Sequence, residues 1–286
     1  MRVVPVSEVL LSPFALGLLG LCIGSFLNVV IHRLPLMLER GWRMESADLL
    51  GVAHEEKTPP ITLSTPRSRC PSCGHQITWR ENIPVASWLW LRGRCSACRT
   101  PISARYPLVE IVTAALFALA AWRHGAQPVA LLWCGFCAVL VALAGIDWDT
   151  TLLPDNLTLP LLWVGIGSAA IGLTIPLVDA FWGAIAGYLS LWSIYWVFKL
   201  TTGKEGMGFG DFKLLAALGA WLGWKMILPI LLGASVIGAI VGIAMKMSAQ
   251  LREGRYVPFG PFLVGAGLVV AFAGADRVLG WMRWPH

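Results

Sequence analysis

The sequence has few charged residues: Asp, Glu, Lys and Arg make up 13% of its 286 residues, about half of the share that is usual in soluble domains. With 57% hydrophobic residues as well, this composition excludes an ordinary soluble globular protein. The bilayer is therefore the solvent that the composition predicts. Fifteen tryptophans agree with this, because an indole at a lipid interface buries its ring and keeps its N–H in water.

Two further signals are missing. No predicted strand is followed by a glycine-rich turn and a helix, so the fingerprint of a Rossmann-type nucleotide site is absent from the sequence. The first apolar segment has no basic stretch before it, apart from Arg2, and no small-residue cleavage site after it. We therefore expect this segment to stay in the membrane rather than to be removed as a signal peptide.

Long apolar segments define the predicted fold. About 20 apolar residues are needed to cross a hydrocarbon core of about 30 Å, and the chain has eight such candidates, of which the second and the sixth are short. We predict an all-α polytopic membrane protein with about eight transmembrane helices. The segments run approximately from Val9 to Ile31, Pro107 to Trp122, Pro128 to Ile146, Leu157 to Ile175, Ala180 to Phe198, Phe212 to Trp224, Met226 to Met245 and Phe259 to Leu279.

The basic residues are divided unevenly between the two sides of this predicted topology. If the loops are numbered alternately, one side has only Arg2, Arg123, Lys225, Arg277 and Arg283, and all other Lys and Arg lie on the opposite side. The positive-inside rule makes the basic side cytosolic and places both termini in the periplasm. This distribution accounts for the net charge of +6, and we predict no nucleic-acid partner.

A polar stretch follows the first predicted span. We therefore divide the chain into a first transmembrane helix (1–31), a cytosolic loop domain (32–106) and a seven-helix membrane core (107–286). Within the loop domain, the stretch from Glu39 to Pro66 has several charges and little periodicity, which predicts a mobile linker.

The second part of the loop domain carries two Cys-x-x-Cys pairs, Cys70 with Cys73 and Cys95 with Cys98. This pattern is typical of a structural zinc site, because each pair lies on a tight turn and four thiolates complete a tetrahedral shell. A reducing cytosol argues against the alternative of two disulfides. With no position left for water, we expect the metal to be structural. His75 is a spare candidate ligand, and a plain surface position is the simpler interpretation.

Three further cysteines, Cys22, Cys134 and Cys137, lie inside predicted spans. Their apolar helical setting favours simple packing. We assign them no function.

Carboxylates at the ends of predicted spans are functional candidates, because ionisable groups at membrane depth are costly. Asp147 and Asp149 close the third span, and Asp211 opens the sixth after a glycine-rich loop on the same side of the membrane. Two nearby acids cannot easily both ionise, so one stays protonated to polarise a peptide carbonyl while the other deprotonates water. Such a pair suits hydrolysis of a peptide bond.

Several assignments stay open on the residues alone. Asp149 would face nearly away from Asp147 in a continuous helix, so one of the two is supportive, but the residues do not say which. Asp155 fits a helix N-cap better than a catalytic role, and Glu110 fits the first turn of the second span. The loop Gly206-Met-Gly208-Phe-Gly210 suits close approach of an extended substrate. A phosphate-binding loop with Lys204 or Lys213 is the alternative, weakened because no strand precedes it.

The motifs also occur in a characteristic order along the chain, between Gly20 and about Pro261. In sequence they are Gly24-Ser25-Phe26-Leu27-Asn28, His32-Arg33-Leu34-Pro35, the two Cys-x-x-Cys pairs, Glu81-Asn82-Ile83-Pro84, Arg105-Tyr106-Pro107-x-x-Glu110, Asp147-x-Asp149, Leu153-Pro154-Asp155 and Gly208-x-Gly210-Asp211-x-Lys213. This order resembles that of the bacterial type IV prepilin peptidases, which are intramembrane aspartic proteases of the GxGD type.

The resemblance implies a bifunctional enzyme of the bacterial inner membrane. Members with four cysteines cleave the basic leader of type IV prepilins or type II secretion pseudopilins, and then methylate the new N-terminal amine with S-adenosylmethionine. By motif, the catalytic aspartates of the family fall on Asp147 and Asp211. The methyl-donor site has no signal in the residues, and none are assigned to it.

Two other classes of function remain as alternatives. Intramembrane aspartates and glycine-interrupted helices are also found in ion-coupled transporters, although we see no inverted repeat. A membrane scaffold whose zinc module recruits a partner would use the acids only as caps.

Overall fold

The computed structural model describes residues 6–52, 60–247 and 257–282. These residues form helices, and the only β-structure among them is two isolated bridges in the cysteine-rich loop, so the all-α prediction is confirmed. Two short 3₁₀ helices, Arg80–Asn82 and Trp224–Met226, accompany the α-helices. The α-helices are α1 (Val6–Leu10), α2 (Pro13–Leu50), α3 (Ala86–Trp90), α4 (Arg105–His124), α5 (Val129–Thr150), α6 (Asp155–Ala170), α7 (Leu177–Thr202), α8 (Phe209–Leu222), α9 (Ile227–Met247), α10 (Gly260–Ala273) and α11 (Ala275–Trp281).

A helix occupies each of the eight predicted positions, but not all of them are long enough to span a bilayer alone. In the described part of the chain, five helices are long and apolar enough to cross a membrane: α2, α4, α5, α7 and α9 with the 3₁₀ turn before it. The bent pair of α10 and α11 makes six if it counts as one span. Helices α6 and α8 have 16 and 14 residues.

The last predicted span is not one continuous helix. The chain bends by 108° between α10 and α11, at Gly274, whose φ is +88°. That backbone conformation ends a helix and suits glycine, and Asp276 then lies in the favourable first turn of α11. The prediction of an unbroken helix from Phe259 to Leu279 is therefore wrong.

The first long helix extends well beyond its predicted span. Helix α2 continues from Ile31 through Pro35 to Leu50 and ends on Gly51, whose φ is +63°. Glu39 and Arg43 form an ion pair one turn apart, which supports a helix in water. The prediction of an irregular linker from Glu39 is wrong as far as Leu50, and residues 53–59 of that linker lie outside the described residues.

Many large apolar side chains are exposed on the long helices. On α9, for example, Val236, Ile240 and Ile243 lie on the surface and are well over half exposed. Monomeric soluble proteins rarely expose contiguous apolar faces of this kind. Contact with lipid explains them, in keeping with the composition.

The chain divides into two compact units, residues 1–142 and 143–286. In the first unit, α2 packs along α4. A Cβ on Gly20 would lie 2.7 Å from the Cα of Ala114, and one on Gly24 would lie 2.6 Å from the Cα of Glu110. The two glycines, which are four residues apart, therefore permit close packing of the two helices.

In the second unit, α8 is the central helix and packs against α6, α7 and α10. Nearly all of its residues from Asp211 to Trp221 are buried, so this short helix is surrounded by protein. A Cβ on Gly183 of α7 would lie 2.1 Å from the carbonyl oxygen of Gly219, which means that the two backbones touch. On α9, a Cβ on Gly238 would lie 3.0 Å from the ring of Phe262, whereas one on Gly242 would have no neighbouring atom within 4 Å among the described residues.

We predict that Gly183→Ala destabilises the second unit by about 1–3 kcal/mol, because the new methyl group must push α7 and α8 apart. The measurement is thermal unfolding of the purified protein in detergent. Gly242→Ala is the matched control, since its methyl group meets no neighbour, and helix propensity predicts no loss of stability. Equal unfolding temperatures for the two variants would contradict the backbone contact.

Candidate functional sites

The two Cys-x-x-Cys pairs form matching turns. In the first turn, the N–H of Cys70 bonds to the carbonyl of His75 and Arg69 bridges to Gln76. In the second, the N–H of Cys95 bonds to the carbonyl of Thr100 and Arg94 bridges to Pro101. The residue after each second cysteine has a positive φ: Gly74 at +73° and Arg99 at +63°. Each turn thus directs two sulfur atoms to one side.

The four sulfur atoms have the spacing of a tetrahedral metal site. All lie within 4.8 Å of one another, with Cys70 3.8 Å from Cys98 and Cys73 4.0 Å from Cys95. Ligands about 2.3 Å from a central zinc are about 3.8 Å apart. The residues present therefore fit a metal ion bound by four cysteines, as the spacing predicted. His75 is not among them.

Glu81 joins the two cysteine turns. Its carboxylate accepts hydrogen bonds from the N–H and hydroxyl of Thr78, lies 3.3 Å from His75 Nε2 in the first turn, and is hydrogen-bonded to Ser96 in the second. The hydrogen bonds from Ser96 and Thr78 lower the pKa of Glu81 to about 2, so this carboxylate is an anion at any physiological pH. The position of Glu81 within a motif does not predict this role, because its contact with Ser96 joins residues 15 positions apart.

Arg33 fixes the last residues of the predicted linker to α2. Its guanidinium donates to the carbonyl oxygens of Thr62, Leu63 and Pro66, at distances of 2.9, 3.4 and 2.6 Å. A planar guanidinium with several donors suits this arrangement. Residues 62–66, at the end of the predicted linker, are therefore held in place by Arg33.

In the second unit, Asp147 and Asp211 form a buried carboxylate pair. Asp147 lies near the end of α5 and is 4% exposed, and Asp211 lies in the first turn of α8 and is 8% exposed. The two carboxylates are close enough to interact electrostatically. The structure therefore brings together the two aspartates singled out from the sequence.

The N–H of Gly260 holds Asp147. It donates to Oδ2 of Asp147 at 2.9 Å, and Gly260 is the first residue of α10. The C-terminal end of α5 disfavours an anion, whereas the N-terminal end of α10 favours one. A Cβ at position 260 would lie 2.5 Å from the same oxygen, so any other residue there would displace the carboxylate. No signal in the sequence around Gly260 indicates this contact.

Leu153 packs between the start of α8, which carries Asp211, and the start of α10, which contacts Asp147. It is buried in the loop between α5 and α6. A Cβ on Gly210 would lie 2.7 Å from Cβ of Leu153, and one on Gly260 would lie 3.3 Å from its Cδ1. Leu153 thus fixes both Gly210, which precedes Asp211, and Gly260, which bonds to Asp147.

The other candidate acids on this unit are placed differently. Helix α5 continues to Thr150, and Asp149 is exposed, as a position two residues beyond a buried one should be. Asp155 is the first residue of α6, and Pro154 occupies the cap position, so the prediction of an Asp155 N-cap is wrong. Its carboxylate instead pairs with Lys213 Nζ, 2.7 Å from both oxygens.

Glu110 lies deeper in its helix than predicted. Helix α4 begins at Arg105 rather than at Pro107, so Glu110 falls in the second turn and the prediction of a first-turn position is wrong. The side chain is 7% exposed and accepts a hydrogen bond from the N–H of Val85 at 2.7 Å. Of the three cysteines that lie in predicted spans, Cys134 and Cys137 are buried, whereas Cys22 is exposed.

Comparisons with known proteins cover most of the chain. Residues 18–124 match the bacterial peptidase A24 N-terminal domain, and residues 134–243 match the type IV leader peptidase family. Three similar proteins are each named prepilin leader peptidase/N-methyltransferase. The Aeromonas hydrophila protein is 53% identical over 92% of this chain and 91% of its own. The Stutzerimonas stutzeri protein is 49% identical over 99% of both chains, and the Pseudomonas aeruginosa protein 50% identical over 90% and 89%. No solved structure matches.

We predict that the purified protein contains about one zinc ion per chain and that Cys95→Ser loses most of it, because three thiolates bind zinc more weakly than four. The metal is measured by elemental mass spectrometry. Loss of metal should also open the loop around Cys70–Cys98 to trypsin, since a metal-bound loop this small folds by binding its metal. Cys22→Ser is the control and should keep its zinc. Full metal content in Cys95→Ser would exclude the four-cysteine site.

Proposed function

The chain belongs to the prepilin leader peptidase/N-methyltransferase family, and from this premise we propose that it cleaves the basic leader of type IV prepilins or type II secretion pseudopilins at the cytosolic membrane face by an aspartic mechanism. It then methylates the new N-terminal amine. It is a multi-pass enzyme of the inner membrane, with both activities in one chain. The observation that carries the proposed mechanism is the buried pair of Asp147 and Asp211.

In this mechanism the two carboxylates share one proton, as two close acids must when both are taken out of water. The ionised carboxylate takes a proton from water, and the resulting hydroxide attacks the carbonyl carbon of the scissile bond. The protonated carboxylate gives its proton to the carbonyl oxygen. When the C–N bond breaks, the carboxylate that took the proton from water gives it to the leaving nitrogen. A hydroxyl of the tetrahedral intermediate gives its proton to the other carboxylate, so the pair again holds one proton.

The surroundings of the pair support this role. The N–H of Gly260 keeps Asp147 in one orientation, and Leu153 packs against the glycine that precedes Asp211. A catalytic group that is held in place loses no entropy in reaching the reactive geometry. The glycines of the loop before α8 leave room for an extended substrate backbone next to Asp211.

The distribution of basic residues supports the proposed orientation in the membrane. We place both termini in the periplasm, the first span at residues 1–31, the loop domain at 32–106 in the cytosol and the remaining spans at 107–286. Helix α2 would then project from the membrane, carrying Arg33, Glu39 and Arg43 into water. The Asp147 and Asp211 pair falls at the cytosolic surface, where a leader followed by a hydrophobic helix would be presented.

Zinc bound by Cys70, Cys73, Cys95 and Cys98 has a structural role in this proposal, because four protein ligands leave no place for water or substrate. S-adenosylmethionine would supply the methyl group. No residues of the chain are assigned to bind it.

An ion-coupled transporter or a zinc-module scaffold is not favoured. A scaffold has no use for two acids that repel each other in a buried site, since burying a carboxylate is costly. The relatives are named as enzymes over nearly the whole length of the chain.

We predict that Asp147→Asn and Asp211→Asn each reduce leader cleavage by at least about 10³-fold, because an amide can neither take a proton from water nor supply one. Cleavage of a purified prepilin in detergent is followed by product mass. Asp149→Asn is the matched control: its exposed position predicts cleavage within about threefold of the wild type. Cleavage by both Asp147→Asn and Asp211→Asn would exclude the aspartic mechanism.

A second prediction concerns the hydrogen bond that orients Asp147. Gly260→Ala should lower the rate of cleavage by about 10²-fold, because a Cβ would meet Oδ2 of Asp147 and a small displacement of a catalytic group has effects of this size. Gly265→Ala in the same helix is the control, since no neighbouring atom lies within 4 Å of its Cβ among the described residues. Similar rates for the two variants would show that the position of Asp147 does not depend on Gly260.

A further inference from the structure

The proposed cleavage mechanism leaves one buried acid without a role. Glu110 belongs to the first unit, whereas Asp147 and Asp211 belong to the second. Its side chain is 7% exposed, and burying a carboxylate costs much more than burying a neutral amide of the same shape. A carboxylate retained in such a place calls for an explanation.

The hydrogen-bond donors to Glu110 are uncharged. They are the N–H of Val85, which reaches Oε2 at 2.7 Å, and the hydroxyl of Ser25. No Lys, Arg or His forms an ion pair with Glu110 in the ranges that the structure describes. These donors hold the carboxylate in a fixed orientation and leave its negative charge uncompensated.

The backbone that supplies the Val85 N–H is strained. Val85 has φ +58° and ψ −49°, and the carbonyl of Pro84 bonds to the N–H of Ala86, so these three residues form a γ-turn with a β-branched residue at its centre. This conformation is rare and costs about 1–3 kcal/mol, and such strain concentrates at functional sites. The strained turn directs a backbone N–H at Glu110.

The helices around Glu110 form a rigid support. Gly24 brings the backbone of α2 against the Cα of Glu110, which places the neighbouring Ser25 within reach of the carboxylate. One turn before Glu110, the side-chain amide of Asn28 donates to the carbonyl of Tyr106 at 3.1 Å. A side chain held from two elements in this way is preorganised in the manner of a catalytic group.

The second activity of the family requires a base. An N-terminal amine has a pKa of about 7.7–8.0, so at neutral pH it is mostly a protonated ammonium without a lone pair. It must lose a proton before its nitrogen can attack a methyl group. A fixed carboxylate without a cationic partner can bind an ammonium through a charge-assisted hydrogen bond and then accept its proton.

We propose that Glu110 binds the new N-terminal ammonium of the cleaved substrate and is the general base of its methylation; the inference rests on the proposed second activity. A proton passes from the ammonium to the Glu110 carboxylate, and the nitrogen lone pair attacks the methyl carbon of the sulfonium donor. The C–S bond breaks with its electrons going to sulfur, which leaves as a neutral thioether. The product is a methylated ammonium, and Glu110 later releases its proton to water.

The test is Glu110→Gln, because the amide oxygen of glutamine still accepts the hydrogen bond from Val85 but cannot take a proton. Methylation of a leaderless peptide, which begins at the hydrophobic segment, should fall by about 10²-fold or more. Cleavage of full-length prepilin by the same sample should stay within about threefold of the wild type and serves as the folding control. Glu110→Asp, which keeps the carboxylate one methylene further back, should retain more methylation than Glu110→Gln.

Binding without any methyl donor provides a second readout. The wild-type protein should bind the leaderless peptide with a free amine about tenfold more tightly than the same peptide acetylated at its N-terminus, because only the free amine forms a charge-assisted hydrogen bond. In Glu110→Gln this preference should disappear.

Two results would overturn the inference. Methylation by Glu110→Gln at the wild-type rate would show that Glu110 only anchors the turn at Val85, and loss of cleavage together with methylation would show that it has no specific role in methyl transfer. If instead the wild-type protein cleaves prepilin and methylates neither the product nor the leaderless peptide, the proposed second activity itself fails, whatever the variant does.

Discussion

Burying two carboxylates next to each other in an apolar bundle of helices is unfavourable, and the architecture of the second unit follows from how that cost is offset. Asp147 lies at the C-terminal end of α5, where exposed carbonyl groups disfavour a negative charge. The start of α10 supplies a backbone N–H to it. Asp211 lies in the first turn of its own helix, where the N-terminal N–H groups favour a carboxylate. Two helix starts therefore face the pair, and the glycines at positions 210 and 260 allow the required approach.

The grouping of the four cysteines and of the two aspartates could be predicted because their signals are local or chemically rare. Two Cys-x-x-Cys turns admit few interpretations, and a carboxylate at the end of an apolar span stands out against its surroundings. The choice of Asp147 over Asp149 was different: the residues alone left it open, and only the family resemblance indicated it. The structure places one buried and the other exposed on a continuous helix.

The parts that were missed depend on contacts between distant residues or on marginal local preferences. Helix α2 passes through Pro35 because the helical hydrogen bonds on either side outweigh the one that proline removes. From the sequence, the polar composition after Pro35 was expected to end the helix. Gly274, where the last span breaks, is one of 30 glycines, and no local pattern distinguishes it from the glycines that stay helical. Nothing near Gly260 in the sequence indicates that its N–H faces Asp147, since 113 residues separate them. The pair of Asp155 and Lys213 spans 58 residues.

The carboxylates of this protein divide according to their exposure and partners. Asp155 and Glu205 lie at the surface, and each pairs with a lysine. Such surface ion pairs contribute little to stability, and they require no catalytic role to account for them. Asp147, Asp211 and Glu110 are buried, and the described donors to Asp147 and Glu110 are neutral. A buried acid without a cationic partner has a high free energy in its charged form, which is the condition that makes it a good proton acceptor. The same physical criterion that supports the proposed role of the pair in the second unit therefore supports the proposed role of Glu110 in the first, and it does so without reference to any motif.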